Sequence, residues 1–188
     1  MTTHAIVARY GTTSRLGHWL SALLLVGSFT LGYVMTELAM SPTKLKYFSY
    51  HKWIGVTVFA LAALRLAWRL WARAPALPAA MRAWERHIAA ATHGLLYLLL
   101  LLVPLSGWLM SSAKGFQTVY LGRWPIPDLI GKNAELGKAL QGVHELLSTL
   151  LLLLIALHVL AALKHHFIDR DEVLARMVPG LAPRSRRD

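Results

Sequence analysis

The chain has 188 residues, of which 56% are hydrophobic and only 15% are charged. This composition excludes a disordered protein and disfavours an ordinary water-soluble domain. The net charge of +11 would suit a nucleic-acid-binding protein, but the basic residues stand at the ends of long apolar blocks, so we expect no nucleic-acid partner. Since there is no cysteine, disulfides, iron–sulfur clusters and thiol catalysis are excluded.

Four apolar blocks are long enough to cross a membrane, which takes about 20 residues. The first lacks a small-residue cleavage site after it, so we interpret it as a retained span rather than a signal peptide. Pro104 predicts a kink in the third block, and Asn133 is a suitable N-cap for a helix that begins in water before the fourth. The predicted spans are residues 16–36, 48–71, 88–113 and 143–164.

The sequence therefore predicts an all-α membrane protein in contact with lipid: a four-helix transmembrane bundle. We expect one domain over residues 1–179 and a disordered tail over residues 180–188. Four spans place both termini on one side, here named side A, together with the connection at residues 72–87. Side A carries roughly twice as many lysines and arginines as side B, so both termini are predicted to be cytoplasmic. In a bacterium the membrane is then the inner membrane and side B faces the periplasm.

Histidines inside the apolar blocks carry the chemical information, because ionisable groups in a membrane are costly and rare. His144 and His158 lie 14 residues apart on the fourth span. That spacing is a rise of roughly 21 Å and a rotation about 40° short of four full turns, so both rings leave one face at two depths. A histidine at each depth, facing a partner on another helix, is how a bundle holds two haem groups between its helices.

The depth of each histidine in the membrane indicates which histidines face each other. His18 lies roughly 4.5 Å and His158 roughly 9 Å in from side A, so these two form one predicted pair of axial haem-iron ligands. His51 stands in the first turn of the second span on side B and matches His144, which gives the other pair. Zinc would need four ligands converging on one point, which two separate levels exclude.

Two further histidines leave alternatives open. His93 lies roughly 10 Å in from side A, so by depth it could replace His18 or His158 as a ligand. Alternatively it lies beside the haem and donates protons. His165 continues the face of His158 toward side A, and with His93 it could flank a pocket for a lipid-soluble quinone, whose reduction needs electrons and protons. The other interpretation of His165 is a solvated interfacial pair with His166.

Arg65 and Arg69 lie four residues apart on one face of the second span, near side A. Haem propionates are carboxylates that need cationic partners in a low-dielectric setting, so these arginines are candidate propionate ligands. The alternative is that both side chains simply reach the lipid headgroups.

Taken together, these segments resemble the bacterial cytochrome b561 family of small four-span dihaem membrane proteins. The resemblance extends from about Arg9 to Pro179 and implies two non-covalent b-type haems on His18, His51, His144 and His158, with electron exchange with the quinone pool. The matching segments are Arg15-Leu16-Gly17-His18-Trp19, His51, Arg65 with Arg69, His93-Gly94-Leu95-Leu96-Tyr97, Pro104-Leu105-Ser106-Gly107-Trp108, His144-Glu145, His158 and Lys164-His165-His166.

Members of this family act as superoxide oxidases, which pass an electron from periplasmic superoxide to ubiquinone, so the resemblance implies a superoxide:quinone oxidoreductase. The basic surface of side B suits this activity, because a positive field concentrates a small anion. Lys52, beside His51, is a candidate for such a funnel, and its alternative is a solvated charge. The same two interpretations apply to the other basic residues of side B: Lys114, Arg123, Lys132 and Lys138.

The alternative function is a cytochrome b electron-transfer subunit that serves a partner dehydrogenase, a hydrogenase or a periplasmic electron carrier. Such subunits are usually longer and have an added span, which these four blocks do not include. A structural membrane protein without a cofactor would leave the five histidines of the spans unexplained.

Overall fold

The computed structural model describes residues 9–72 and 81–181, and most of the predicted tail at 180–188 lies outside these ranges. Four helices are each long and apolar enough to cross a membrane, which confirms the predicted four-helix transmembrane bundle. A two-stranded antiparallel hairpin lies between α3 and α4, and a π-helical turn, His165–Asp169, follows α4. The elements are α1 (Thr12–Glu37), α2 (Pro42–Trp71), α3 (Ala83–Ala113), β1 (Val119–Tyr120), β2 (Trp124–Pro125) and α4 (Ala134–Lys164).

The ends of the helices follow from local sequence. Ser41 caps α2 by accepting a hydrogen bond from the Lys44 backbone N–H, and Pro42 occupies the first turn, where no N–H is needed. Asn133 caps α4 as predicted, since its side chain accepts from the Leu136 N–H at 3.0 Å. Because these caps precede the apolar blocks, α2 and α4 begin several residues earlier than the blocks themselves.

The helices pack as two hairpins, α1 with α2 and α3 with α4, which meet through α2 and α3. No Cα of α1 lies within 8 Å of a Cα of α4, and the same holds between α2 and α4. The fully packed core sits at mid-depth, around Val58 and Ala62 of α2 and Leu151 of α4. Leu151 is only 1% exposed and lies midway along the chain between His144 and His158. This core therefore lies between the levels of the two histidines of α4.

Short segments cover both ends of the bundle. On side B the hairpin loop docks onto α2: the Trp53 indole donates to the Val119 carbonyl at 2.7 Å, and the Thr57 and Tyr120 hydroxyls lie 2.9 Å apart. On side A the chain after the π-helical turn runs as turns against α1, where the Trp19 indole donates to the Met177 carbonyl at 3.0 Å. The hairpin on side B and the segment after the π-helical turn on side A are thus each held to a span by a hydrogen bond from a tryptophan.

Candidate functional site

The structure brings the four predicted ligands together in the predicted pairs. The ring centres of His18 and His158 are 6.1 Å apart, and those of His51 and His144 are 6.3 Å apart. In both cases the two rings belong to helices whose Cα atoms stay more than 8 Å from each other. Each pair therefore faces across a gap between α4 and the α1–α2 hairpin.

The ring separation suits an iron atom held from both sides. A histidine nitrogen binds a transition metal at about 2 Å and lies about 1 Å from its own ring centre, so two rings on opposite sides of one iron have centres roughly 6 Å apart. The distances of 6.1 and 6.3 Å agree with this requirement. Each pair thus offers two imidazoles at the separation that a haem iron requires.

Hydrogen bonds orient the side-B pair for metal binding. His51 Nδ1 lies 3.0 Å from the Ser28 carbonyl oxygen, and His144 Nδ1 lies 3.1 Å from the Val103 carbonyl oxygen. A carbonyl can only accept, so each Nδ1 must carry the proton and donate it. Nε2 is then left unprotonated with its lone pair available, which is the tautomer that a metal-binding histidine needs. The Ser106 hydroxyl, 3.0 Å from His144 Nδ1, adds a second contact to that ring.

A glycine makes room for the His144 ring. A Cβ on Gly107 would lie 3.1 Å from Cε1 of His144, closer than ordinary van der Waals contact. A Cβ on Gly32 would lie 3.5 Å from Cε1 of His51, which is ordinary contact. The sequence interpretation did not assign these glycines, Ser28 or Ser106 to the site. Ser106 and Gly107 could have been found from the sequence, because two adjacent small residues in a membrane span mark a place where another helix comes close. They lie one turn after Val103, whose carbonyl contacts His144.

On side A a third histidine ring lies beside the predicted pair. The His93 ring is 5.3 Å from that of His158 and nearly perpendicular to it, while the His18 ring is 6.1 Å from that of His158. His93 Nδ1 lies 2.6 Å from the Ala89 carbonyl oxygen of its own helix and must donate to it, which leaves its Nε2 free. The 5.3 Å separation is shorter than an iron between two rings requires, whereas the 6.1 Å separation of His18 and His158 suits it.

The two arginines of α2 occupy different surroundings. Arg65 is half-buried and donates from Nη1 to the Ser21 hydroxyl at 2.8 Å, and its side chain packs 3.3 Å from where a Cβ on Gly17 would lie. Arg69 is exposed. Both guanidinium carbons lie over the Tyr97 ring, at 5.6 and 5.7 Å from its centre. The Arg65 side chain therefore packs against α1 at Gly17, the residue before His18, and the Arg69 side chain lies at the outer edge of the bundle.

His165 is held in an ion-pair network. Its Nδ1 lies 2.6 Å from the Asp171 carboxylate and 3.1 Å from that of Asp169. Lys164 connects Asp169, at 2.8 Å, to Glu85 at the start of α3, at 3.0 Å. The contacts of His165 within the described ranges are thus with these carboxylates, and His93 is not among them.

The five basic residues of side B that the sequence analysis named lie in different surroundings. Lys52 donates from Nζ to the Phe116 carbonyl oxygen at 2.8 Å, and Lys114 donates to the Gln141 side chain, so both also fasten the loop that follows α3. Arg123 stacks over the Trp124 ring. Lys132 and Lys138 are exposed. None of the five has an acidic partner among the ion pairs of the described residues.

Comparison with known proteins shows the family of this chain. The family model of prokaryotic cytochrome b561 matches residues 9–180. Cytochrome b561 homolog 2 of Escherichia coli (strain K12) is 35% identical over 174 residues, which cover 90% of this chain and 91% of the relative. Cytochrome b561 homolog 1 of the same organism is 28% identical over 176 residues, covering 91% and 97%.

A third relative, the probable superoxide oxidase CybB of Yersinia pestis, is 28% identical over 175 residues, covering 86% of this chain and 91% of that protein. The family implies b-type haem as the cofactor, and the paired, oriented imidazoles of this chain fit that group. The chain therefore belongs to the prokaryotic cytochrome b561 family, and it is a multi-pass membrane protein for electron transfer.

Proposed function

We propose that this protein is a dihaem cytochrome of the bacterial inner membrane that oxidises superoxide on the periplasmic side and reduces ubiquinone. The observation that carries the proposal is the presence of two histidine pairs, one near each end of the bundle, with ring separations of 6.1 and 6.3 Å. One pair alone would suit a haem protein. Two pairs on opposite sides of a packed core suit the passage of electrons across the membrane.

In this proposal His18 and His158 would hold one haem, and His51 and His144 would hold the other. Arg65 would supply a positive charge inside the bundle for propionates of the side-A haem, and Arg69 is a second candidate at its edge. A bound haem would supply one-electron chemistry. In the overall reaction two superoxide ions each lose one electron and become dioxygen, and ubiquinone gains two electrons and two protons.

The remaining residues of the site attract the donor and supply protons. Side B is net basic, and a positive field raises the encounter rate of a small anion. Lys52 contributes charge beside His51 while its ammonium also holds the Phe116 carbonyl. On side A we propose His93 and His165 as the proton-carrying groups, because His93 keeps a free ring nitrogen and His165 lies between two carboxylates.

The relative from Yersinia pestis supports superoxide as the donor, since its name is probable superoxide oxidase. The alternative is an electron-transfer subunit of a partner dehydrogenase or hydrogenase. The experiment that separates them is rapid mixing of the purified, oxidised protein with superoxide, followed by its haem absorbance, with and without ubiquinone. We expect fast haem reduction by superoxide alone and ubiquinol formation when quinone is present. Haem that superoxide leaves oxidised, but that a partner dehydrogenase reduces, would establish the alternative.

A further inference from the structure

The two histidine pairs are oriented by different contacts. In the side-B pair each Nδ1 lies against a backbone carbonyl, that of Ser28 or that of Val103. Among the residues that the structure describes, no such carbonyl lies against the His18 ring, and an aromatic contact takes its place. The rings of His18 and Trp19 have their centres 5.3 Å apart and their planes at 86°, which is an edge-to-face arrangement. The indole is therefore the neighbour that can orient His18.

Trp19 is itself fixed by the chain that follows α4. Its indole N–H donates to the Met177 carbonyl at 3.0 Å. One residue earlier, the Arg176 carbonyl accepts from the Tyr10 N–H at 3.3 Å, just before α1 begins. Residues 171–178, here named the brace, thus dock on the start of α1 at two points.

The other end of the brace is tied to α4. The Asp171 carboxylate lies 2.6 Å from Nδ1 of His165, the first residue of the π-helical turn. Within the brace, Asp171 also accepts from the Val173 N–H at 3.0 Å, and the Arg176 guanidinium lies 3.2 Å from the Glu172 carboxylate. The brace therefore has internal bonds of its own and forms a folded link from α4 to α1.

This link is important because α1 and α4 do not pack on each other. No Cα of α1 lies within 8 Å of a Cα of α4. His18 on α1 and His158 on α4 nevertheless face each other with their ring centres 6.1 Å apart. Within the described ranges, the brace is the segment that joins the side-A ends of these two helices. A displacement of the brace would move Trp19, and the His18 ring would move with it.

We propose that Trp19 is a positioning residue for His18, and that the brace holds Trp19 in place through the Met177 carbonyl. The indole limits the rotation of the imidazole, so the geometry of the side-A pair depends on the segment that follows α4. The inference rests on the pairing of His18 with His158 in the proposed function. It does not depend on the identity of the electron donor or of the acceptor.

Three substitutions separate the ring contact from the hydrogen bond. Trp19→Phe keeps an aromatic ring beside His18 but removes the N–H that bonds the brace, and Trp19→Ala removes both. Trp68→Phe is the matched control. The Trp68 indole is also a hydrogen-bond donor on side A, to the Ser14 hydroxyl at 3.2 Å, and its ring contact is with Trp71 rather than with a histidine.

The readouts are the haem content, the two midpoint potentials and the EPR spectrum of the oxidised whole protein. The side-A haem is the one lost in His18→Ala, and the side-B haem serves as the internal reference. The EPR signal of a low-spin haem held by two histidines changes with the angle between the imidazole planes. A role of Trp19 limited to stability would leave that signal unchanged.

We expect Trp19→Ala to keep two haems, to change the side-A EPR signal and to lower the side-A potential, because water that enters beside His18 favours the ferric state. The expected size is about tenfold in the redox equilibrium constant, which is about 59 mV for one electron. Trp19→Phe should give a smaller change in the same direction. Trp68→Phe should match the wild type, and the side-B signal should stay constant throughout.

Each other outcome has a definite meaning. Unchanged EPR signals and potentials in Trp19→Ala would overturn the proposal, as would equal shifts of both haems or the same shift in Trp68→Phe. If Trp19→Ala loses the side-A haem, Trp19→Phe decides: a shifted side-A signal supports the proposal, and a wild-type signal overturns it. A wild-type protein without a side-A haem would contradict the proposed function, and this inference with it.

Discussion

The imidazole rings of His18 and His158 lie 6.1 Å apart, although the Cα atoms of their helices stay more than 8 Å from each other. His51 and His144 repeat this relationship near side B, with ring centres 6.3 Å apart. Two imidazoles at this separation could hold one iron between them. The two pairs are the structural reason to expect two bound haems.

We therefore predict two non-covalent haems b per chain and a loss of one when either member of a pair is removed. His51→Ala and His144→Ala should lose the side-B haem, and His18→Ala and His158→Ala the side-A haem, because each haem would then lack one of the two histidines that hold it. Pyridine haemochrome analysis gives the number of haems per chain. His87→Ala is the control, since His87 is exposed and, among the described residues, its ring bonds the carbonyl of Ala83 in its own helix.

His93→Ala tests whether His93 is a haem ligand or a proton donor beside the haem. We expect it to keep both haems and to slow quinone reduction on the order of 10²-fold, as for the loss of a positioned proton donor. Haem content and the rate of ubiquinol formation are measured on the same preparation. Loss of a haem from His93→Ala, with retention in His18→Ala, would show that His93 rather than His18 pairs with His158.

Ser106→Ala is predicted to change only the side-B haem. The Ser106 hydroxyl contacts His144 Nδ1 at 3.0 Å, and such outer contacts typically change metal affinity by about 10–100-fold. We expect the lower end of that range, because the Val103 carbonyl still orients the ring. Redox titration should show one midpoint potential shifted and the other unchanged. Ser28→Ala should have a smaller effect, since that hydroxyl is 3.4 Å from His51 Nδ1 and the Ser28 carbonyl remains.

Gly107→Val should displace His144. A Cβ at Gly107 alone would lie 3.1 Å from the His144 ring. The two methyl groups that valine adds would increase the steric overlap with this ring. Overpacking of this kind costs about 1–3 kcal/mol, and we expect reduced haem content on side B and a lower unfolding temperature. Gly55→Val is the control, because a Cβ there meets nothing within 4 Å. Equal haem content in the two variants would contradict the close approach seen in the structure.

The predicted orientation can be measured with single cysteines, because the natural chain has none. Lys138→Cys on side B should react with a membrane-impermeant maleimide in cells with a permeabilised outer membrane. Arg82→Cys on side A should react only after the inner membrane is opened. Both positions are exposed. The reverse pattern would overturn the cytoplasmic position of the termini and exchange the donor and acceptor sides.

The rate of haem reduction by superoxide should fall as salt is added, because screening weakens attraction by surface charges. Lys138→Gln, which removes an exposed charge, should lower the encounter rate and make it less salt-dependent. Lys52→Gln should do the same and also loosen the loop, since the Phe116 carbonyl loses its charged donor. If the rate of haem reduction by superoxide in the wild type does not depend on salt, the side-B lysines do not attract superoxide.

The sequence by itself determined the four spans, the cap at Asn133 and the two levels of histidines. These features depend on local properties: apolar length sets a membrane span, and helical periodicity sets which side chains share a face. Composition and spacing were therefore enough to predict the bundle and to propose which histidines pair.

Only the tertiary structure decided what surrounds those rings. The carbonyls of Ser28 and Val103 fix the ring tautomers, Gly107 admits His144, and His165 turns to carboxylates instead of His93. These relationships join residues on different helices or depend on the turn after α4. Their distances follow from how the helices pack and tilt, and no periodicity along one chain segment contains that information.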